Sequence, residues 1–243
     1  MKIAVSGATG RAGRHVVDIL AARGHEVVPM ARSTGVDVIT GDGLAEALTG
    51  AEAIVDLATG PTPEEEPATK FFTTSARNLQ EAGRDAGVQR MIVVSIVGID
   101  RFDSGYNAAK LAQERAALAG PVPVRILRAT QFHEFVAQLV DWGRQGDVAY
   151  VPKMRTQLIA ARTVAEALAD LAVDPESAPG PTLEIAGPRE ESMVEAARLL
   201  AARSYDGLRI EGVTWDERYE AGAALPGPDA TLAGPTFEEW LAA

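Results

Sequence analysis

Lys2-Ile3-Ala4-Val5-Ser6-Gly7-Ala8-Thr9-Gly10-Arg11-Ala12-Gly13 opens the chain, and an apolar-periodic segment from His15 to Ala22 follows it directly. A short run of buried-strand character passes into a glycine turn and then a helix start, the arrangement that cradles a nucleotide pyrophosphate. The glycines meet three needs there: a tight turn, close approach of backbone to phosphate, and close packing of helix on strand. The first N–H groups of the helix stay free for an anion. The spacing is G-x-x-G-x-x-G rather than G-x-G-x-x-G, so position decides the reading more than pattern does. Gly7, Thr9, Gly10, Arg11, Ala12 and Gly13 are therefore the candidate phosphate-binding residues.

The next strand, Glu26-Val27-Val28-Pro29-Met30, ends at Ala31-Arg32-Ser33. The residue just past this strand normally meets the adenosine ribose. An Asp or Glu would accept from a free 2′-hydroxyl, whereas a guanidinium beside a hydroxyl suits a 2′-phosphate. Arg32 and Ser33 thus favour NADP(H) over NAD(H).

Composition narrows the class. At 243 residues the chain can bury a sizeable core, and with 47% hydrophobic and 23% charged residues it reads as an ordinary globule. A net charge of -11 with no basic run argues against a nucleic-acid partner. Zero cysteines exclude disulfides, thiolate metal sites and a cysteine nucleophile, and the three histidines are far apart, so no metal site is expected. The chain starts at once on a core strand and has no apolar run of the ~18 residues a membrane helix needs, so a cytoplasmic protein without membrane attachment is expected.

After the first helix, short Val/Ile-rich runs alternate with longer helical patterns. Strands are expected at Val36–Thr40, Ala53–Leu57, Met91–Ile96 and Val124–Arg128, with helices at Leu44–Leu48, Ala68–Ala86 and Tyr106–Leu118. Strands without alternating polarity, separated by helices, imply an α/β fold: a doubly wound parallel sheet, the Rossmann fold, with the ligand beyond the carboxyl ends of its strands. From about Ala129 the regularity weakens. A helix at Val164–Val173, a strand at Leu183–Ala186 and a helix at Ser192–Arg203 remain. The expected division is a dinucleotide-binding core, residues 1–130, and a smaller substrate lobe, residues 131–243, interleaved with the end of the core. Pro61–Pro67 and Asp174–Pro181 read as proline-rich loops, the first a candidate lid.

Ser95 lies near the end of strand Met91–Ile96, and Tyr106-Asn107-Ala108-Ala109-Lys110 opens the following helix. Tyr and Lys at i and i+4 share one helix face. An ammonium beside a phenol favours phenolate and draws the ordinary pKa of ~10 toward neutrality. The phenol then exchanges a proton as a carbonyl is reduced or an alcohol oxidised, Ser95 holds the substrate oxygen, and Lys110 reaches the cofactor ribose.

Gly7-Ala8-Thr9-Gly10 with Gly13, Ser95 in Val93-Val94-Ser95-Ile96-Val97-Gly98, and Tyr106 with Lys110 resemble the short-chain dehydrogenase/reductase superfamily, and within it the atypical, NmrA-like, NAD(P)H-binding branch. The likeness extends over nearly the whole chain, including Arg128-Ala129-Thr130-Gln131-Phe132-His133-Glu134 and Gly234-Pro235-Thr236-Phe237-Glu238-Glu239-Trp240. The resemblance implies that Asp42 lies by the adenine, that Ala58-Thr59-Gly60 lines the dinucleotide groove, and that Gln131 through Phe135 edges the nicotinamide and substrate, with Gln131 on the cofactor and Phe132, His133 and Phe135 on the substrate. Many NmrA-like proteins lose the Tyr or the Lys and act as cofactor sensors; this chain keeps both. Thr163 stands where relatives commonly have Asp, at an expected helix cap.

The expected function is an NADPH-dependent reductase of a small carbonyl, enone or quinone. The alternatives are a non-catalytic NADP(H) sensor and an epimerase or isomerase that keeps its cofactor bound. His15 and His25 read as structural. Phe102, Trp142, Tyr150 and Met154 could line an apolar pocket or form a core. A small-molecule substrate is the expected partner, and the superfamily likeness allows a homodimer that no residue here demands.

Overall fold

The computed structural model describes residues 1–174 and 180–243, so the expected loop Asp174–Pro181 falls largely outside the described residues. The chain divides into two compact units: Met1–Arg128 with Val164–Leu183, and Ala129–Thr163 with Glu184–Ala243. The elements in order are β1 (Lys2–Ser6), α1 (Arg11–Ala22), β2 (Glu26–Met30), α2 (Leu44–Leu48), β3 (Ala53–Asp56), α3 (Glu65–Asp85), β4 (Arg90–Ile96), α4 (Gly105–Leu118) and β5 (Val124–Ala129). There follow α5 (His133–Gly143), β6 (Arg144–Gln145), β7 (Val148–Pro152), β8 (Arg155–Thr156), α6 (Ala161–Val173), β9 (Thr182–Ala186), β10 (Glu191–Ser192), α7 (Met193–Ser204), β11 (Arg209–Val213), α8 (Glu217–Glu220), β12 (Thr231–Leu232) and α9 (Phe237–Ala242).

Among the described residues the main sheet has seven strands in the order β12-β9-β5-β4-β3-β1-β2. β1 pairs in parallel with both β2 and β3, and β3 pairs in parallel with β4. The chain steps outward from β1 to β2, then reverses to β3 on the other side, so the switch point lies between β1 and β3, where a doubly wound sheet opens a crevice for ligand. β1 and β3 are almost wholly apolar and buried, as strands covered on both faces must be. Pro29 is tolerated in β2 because that strand ends the sheet order and no further ladder needs its missing N–H.

The expected strand Val36–Thr40 is absent. Gly35 takes φ +81°, and the Asp37 carboxylate accepts from the N–H of Ile39 at 2.7 Å and of Thr40 at 3.4 Å, a local turn that competes with extension. Asn78 of α3 pins the segment by donating to the Val38 and Ile39 carbonyls, each at 2.9 Å. Helix α3 starts at Glu65, earlier than expected, because Pro67 fits a helix first turn; the candidate lid therefore shrinks to the loop before Glu65.

In the second unit, β7 pairs in parallel with β11 and antiparallel with β6, while β8 pairs antiparallel with β10. Its core gathers Val136, Leu139 and Val140 of α5 with Met193, Ala197 and Leu200 of α7 and Phe237 of α9. Thr163 lies inside α6, which begins at Ala161, so it is not the cap; Glu134 instead accepts from the Ala161 N–H at 3.1 Å.

Candidate active site

The glycine turn is built from backbone. Gly7 takes φ +70°, and a Cβ there would sit 2.5 Å from the Leu57 carbonyl oxygen. Its N–H donates to Met30 at 3.1 Å, and Leu57 donates to Ser6 at 3.0 Å, which ties the ends of β1, β2 and β3 together. A Cβ on Gly13 would fall 2.1 Å from the Gly7 carbonyl oxygen, so helix and turn approach as closely as they do only because that atom is missing. Gly10 is the N-cap of α1, with no side-chain cap and no acidic residue in the first turn. An uncapped helix start beyond a glycine turn fits a phosphate, and these residues therefore fit the dinucleotide that the sequence implies.

Arg32 and Ser33 lie in a short 3-10 turn, Arg32–Thr34, just past β2, where both are exposed. Thr34 holds that turn by donating to Pro29 at 2.9 Å and accepting from the Ala31 N–H at 3.0 Å. Among the described residues the Arg32 side chain has no ion pair. Ala58 is buried, Thr59 exposed and Gly60 half-buried directly after β3, at the switch point. Asp42 is exposed and accepts from Thr40 Oγ1 at 2.8 Å, but it follows a turn and not a strand.

Ser95 is buried on β4, and among the described residues its hydroxyl has no hydrogen-bond partner, an arrangement that costs stability unless a ligand completes it. Tyr106 stands in the first turn of α4, with its ring edge-on to Phe72 at 5.6 Å. Burial pushes its phenol up to about 12. The expected depression of the phenol toward neutrality is thus absent. Lys110, one turn on, is buried and donates to the Val94 carbonyl at 2.8 Å and to Gln113 Oε1 at 2.5 Å, with the Phe72 ring centroid 4.7 Å away. Burial pushes its ammonium down to about 8, while the Asp56 and Glu114 carboxylates pull the other way.

Sequence reasoning passed over Asp56 and Gln113. Asp56 ends the otherwise apolar β3, fully buried, with its carboxyl pushed up by desolvation. Gln113 is three residues beyond Lys110 and buried on the same helix. The available signals were a lone acid closing an apolar strand and an amide at i+3 from the lysine.

In the second unit, Gln131 accepts from Thr156 Oγ1 at 2.8 Å, Phe132 caps α5, and the Phe135 ring meets Trp142 edge-on at 6.0 Å. The ring of His133 is packed edge-on against Phe237 at 5.5 Å and Trp240 at 5.2 Å, and only 1% of the residue is exposed. Desolvation holds this imidazole below the usual histidine value. Of the four side chains considered for a pocket, Phe102 and Met154 are buried, Tyr150 is half-buried on β7, and Trp142 is 59% exposed. Among the described residues no cluster of three or more His, Asp or Glu side chains could hold a metal ion, and no helix is long and apolar enough to cross a membrane.

A Rossmann-type sheet with an open glycine turn at its switch point defines a dinucleotide-binding protein. Residues 7–175 match the NAD(P)H-binding family, and the chain belongs to that family. It is 31% identical over 155 residues to the 3-beta-hydroxysteroid dehydrogenase of Mycolicibacterium neoaurum, covering 48% of this chain and 42% of that protein. It is 33% identical over 141 residues to the ceramide reductase of Caulobacter vibrioides (strain NA1000 / CB15N), covering 52% and 44%. The chain thus spans less than half the length of the curated relatives it matches. Its fold is similar to that of MoeE5 in complex with UDP-glucose and NAD, with a TM-score of 0.75 at 20% identity over 100% of this chain and 99% of that one. Those two relatives are a dehydrogenase and a reductase, and the NAD(P)H-binding family is what this chain shares with such proteins.

Proposed function

We propose that the chain is an NADPH-dependent reductase of a small carbonyl, enone or quinone. The observation that carries this reading is Tyr106 held in its acid form by burial, one helical turn before Lys110 and on the helix that follows Ser95. At neutral pH the phenol carries its proton, as a reduction requires. Ser95 offers its unpartnered hydroxyl to the substrate oxygen, Tyr106 gives that oxygen a proton, and Lys110 supplies positive charge for the ribose hydroxyls. When bound, the reduced nicotinamide supplies the hydride. The preference for NADPH rests on the exposed Arg32 beyond β2, whose guanidinium is available for a 2′-phosphate, with Ser33 beside it.

A screen of carbonyl, enone and quinone substrates under NADPH oxidation, followed by Tyr106→Phe, tests the assignment. Turnover in the variant is expected to fall by about 10²–10⁴-fold with the fold intact. Undiminished turnover in Tyr106→Phe would remove the tyrosine from the chemistry. One observation favours a second reading, a non-catalytic NADP(H) sensor of the NmrA type: the Lys110 ammonium is already engaged by Val94 and Gln113. Tight NADP(H) binding, no turnover across the panel and cofactor-dependent capture of a partner would establish the sensor instead.

A further inference from the structure

Asp56 has no structural excuse in composition. Ala53, Ile54 and Val55 before it are apolar and buried, and it is buried as completely as they are. A carboxyl group in that place is costly unless its oxygens are satisfied. Both are: Oδ1 accepts from the Ala58 N–H at 3.1 Å, and Oδ2 accepts from Gln113 Nε2 at 2.9 Å.

Gln113 turns its other end to Lys110, accepting from Nζ through Oε1 at 2.5 Å. The amide has only one workable orientation between these neighbours. Reversed, its NH₂ would face an ammonium that has only donors, and its carbonyl would face a carboxylate that has only acceptors. The lysine is held from two other elements as well, by the Val94 carbonyl of β4 at 2.8 Å and the Phe72 ring of α3 at 4.7 Å. The charged groups that act on it are Asp56 from β3 and Glu114 from its own helix. Glu114 is already taken in a bidentate pair by Arg128, at 2.9 and 2.8 Å.

We propose that Asp56 and Gln113 form a positioning relay for Lys110, in which the carboxylate orients the amide and the amide fixes the ammonium on the helix face that also carries Tyr106. What Lys110 then does rests on the reductase reading above; whether the relay holds it does not.

The chain has four lysines, Lys2, Lys70, Lys110 and Lys153, so ¹³Cε-lysine labelling gives a spectrum in which Lys110 can be assigned by substitution. Its titration midpoint would be followed in the wild type, in Asp56→Asn, in Gln113→Leu and in Gln113→Glu, each checked for cooperative melting. Starting from about 8 in the wild type, the midpoint is expected to fall in Asp56→Asn by about one unit, a tenfold change in the ionisation constant, because the facing counter-charge is gone. Gln113→Leu is expected to lower it too, and Gln113→Glu to raise it by restoring a charged acceptor. A midpoint unmoved in both Asp56→Asn and Gln113→Leu overturns the relay. Should Asp56→Asn fail to fold, equal midpoints in Gln113→Leu and Gln113→Glu overturn it as well. A midpoint that moves while NADPH affinity and turnover stay at wild-type values supports the relay and removes Lys110 from the cofactor site, so the two readings fail separately.

Discussion

The glycine turn of the first unit and the Gln131–Phe135 stretch of the second both stand out in the sequence as functional, yet they are built on opposite terms. The turn is a backbone object: Gly7 and Gly13 are needed where any Cβ would strike a carbonyl at 2.5 or 2.1 Å, and no side chain closes the helix start they lead to. Such a requirement is local, so a short run of residues can state it. The second stretch is a side-chain object. His133 looks like a ligand contact beside Phe132 and Phe135, but its ring is packed against Phe237 and Trp240, about a hundred residues later. A histidine's role depends on what the rest of the chain brings to it, and no spacing rule within seven residues reports that.

The contrast can be broken by substitution, and Gly13→Val gives the largest effect. Its β-carbon cannot be placed without pushing α1 off the turn, so a loss of about 2–4 kcal/mol and of all measurable dinucleotide binding is expected from melting and calorimetry. Gly10→Ala sharpens the same point, because its Cβ would meet the Gly7 carbonyl at 3.1 Å and calls for only a small adjustment. Retained binding in Gly13→Val would mean that the turn does not carry the phosphates.

His133→Ala belongs at the other pole. It leaves a cavity beside Phe237 and Trp240, and a stability loss of about 2–4 kcal/mol is expected in thermal melts, with cofactor affinity unchanged. A variant with wild-type stability but altered substrate KM would return His133 to the substrate site.

A smaller effect comes from pH. Lys110 is charged below about 8 and neutral above it, so whatever it contributes to NADPH affinity is present at pH 7 and fades as pH rises through 8. Lys110→Met is expected to bind more weakly at pH 7 and to lose that inflection. An inflection that survives in the variant would belong to another group.

These cases also mark how far fold and site are legible in the residues alone. The parallel sheet followed from apolar runs alternating with helical patterns, and β1, β3, β4, β5, α2, α4 and α7 lie within a few residues of their expected places. Val36–Thr40 failed because its apolar residues satisfy strand periodicity, while Gly35 and the Asp37 carboxylate impose a turn that periodicity ignores. Tyr106 and Lys110 were legible as a helical pair, but the consequence drawn from the spacing was wrong. Burial raises the phenol, and the ammonium is turned to Val94 and Gln113. Asp56 was illegible for the same reason as His133: its meaning comes from a helix that arrives 57 residues later.

The account stands most directly on binding of NADPH, NADP+, NADH and NAD+, measured by calorimetry on the wild type and on Arg32→Ala. It predicts tight binding of the 2′-phosphorylated pair, and a loss of about 10–100-fold for that pair alone in the variant, the scale of one charge-assisted contact. Equal affinities for all four in the wild type, or an equal loss for all four in Arg32→Ala, would contradict it.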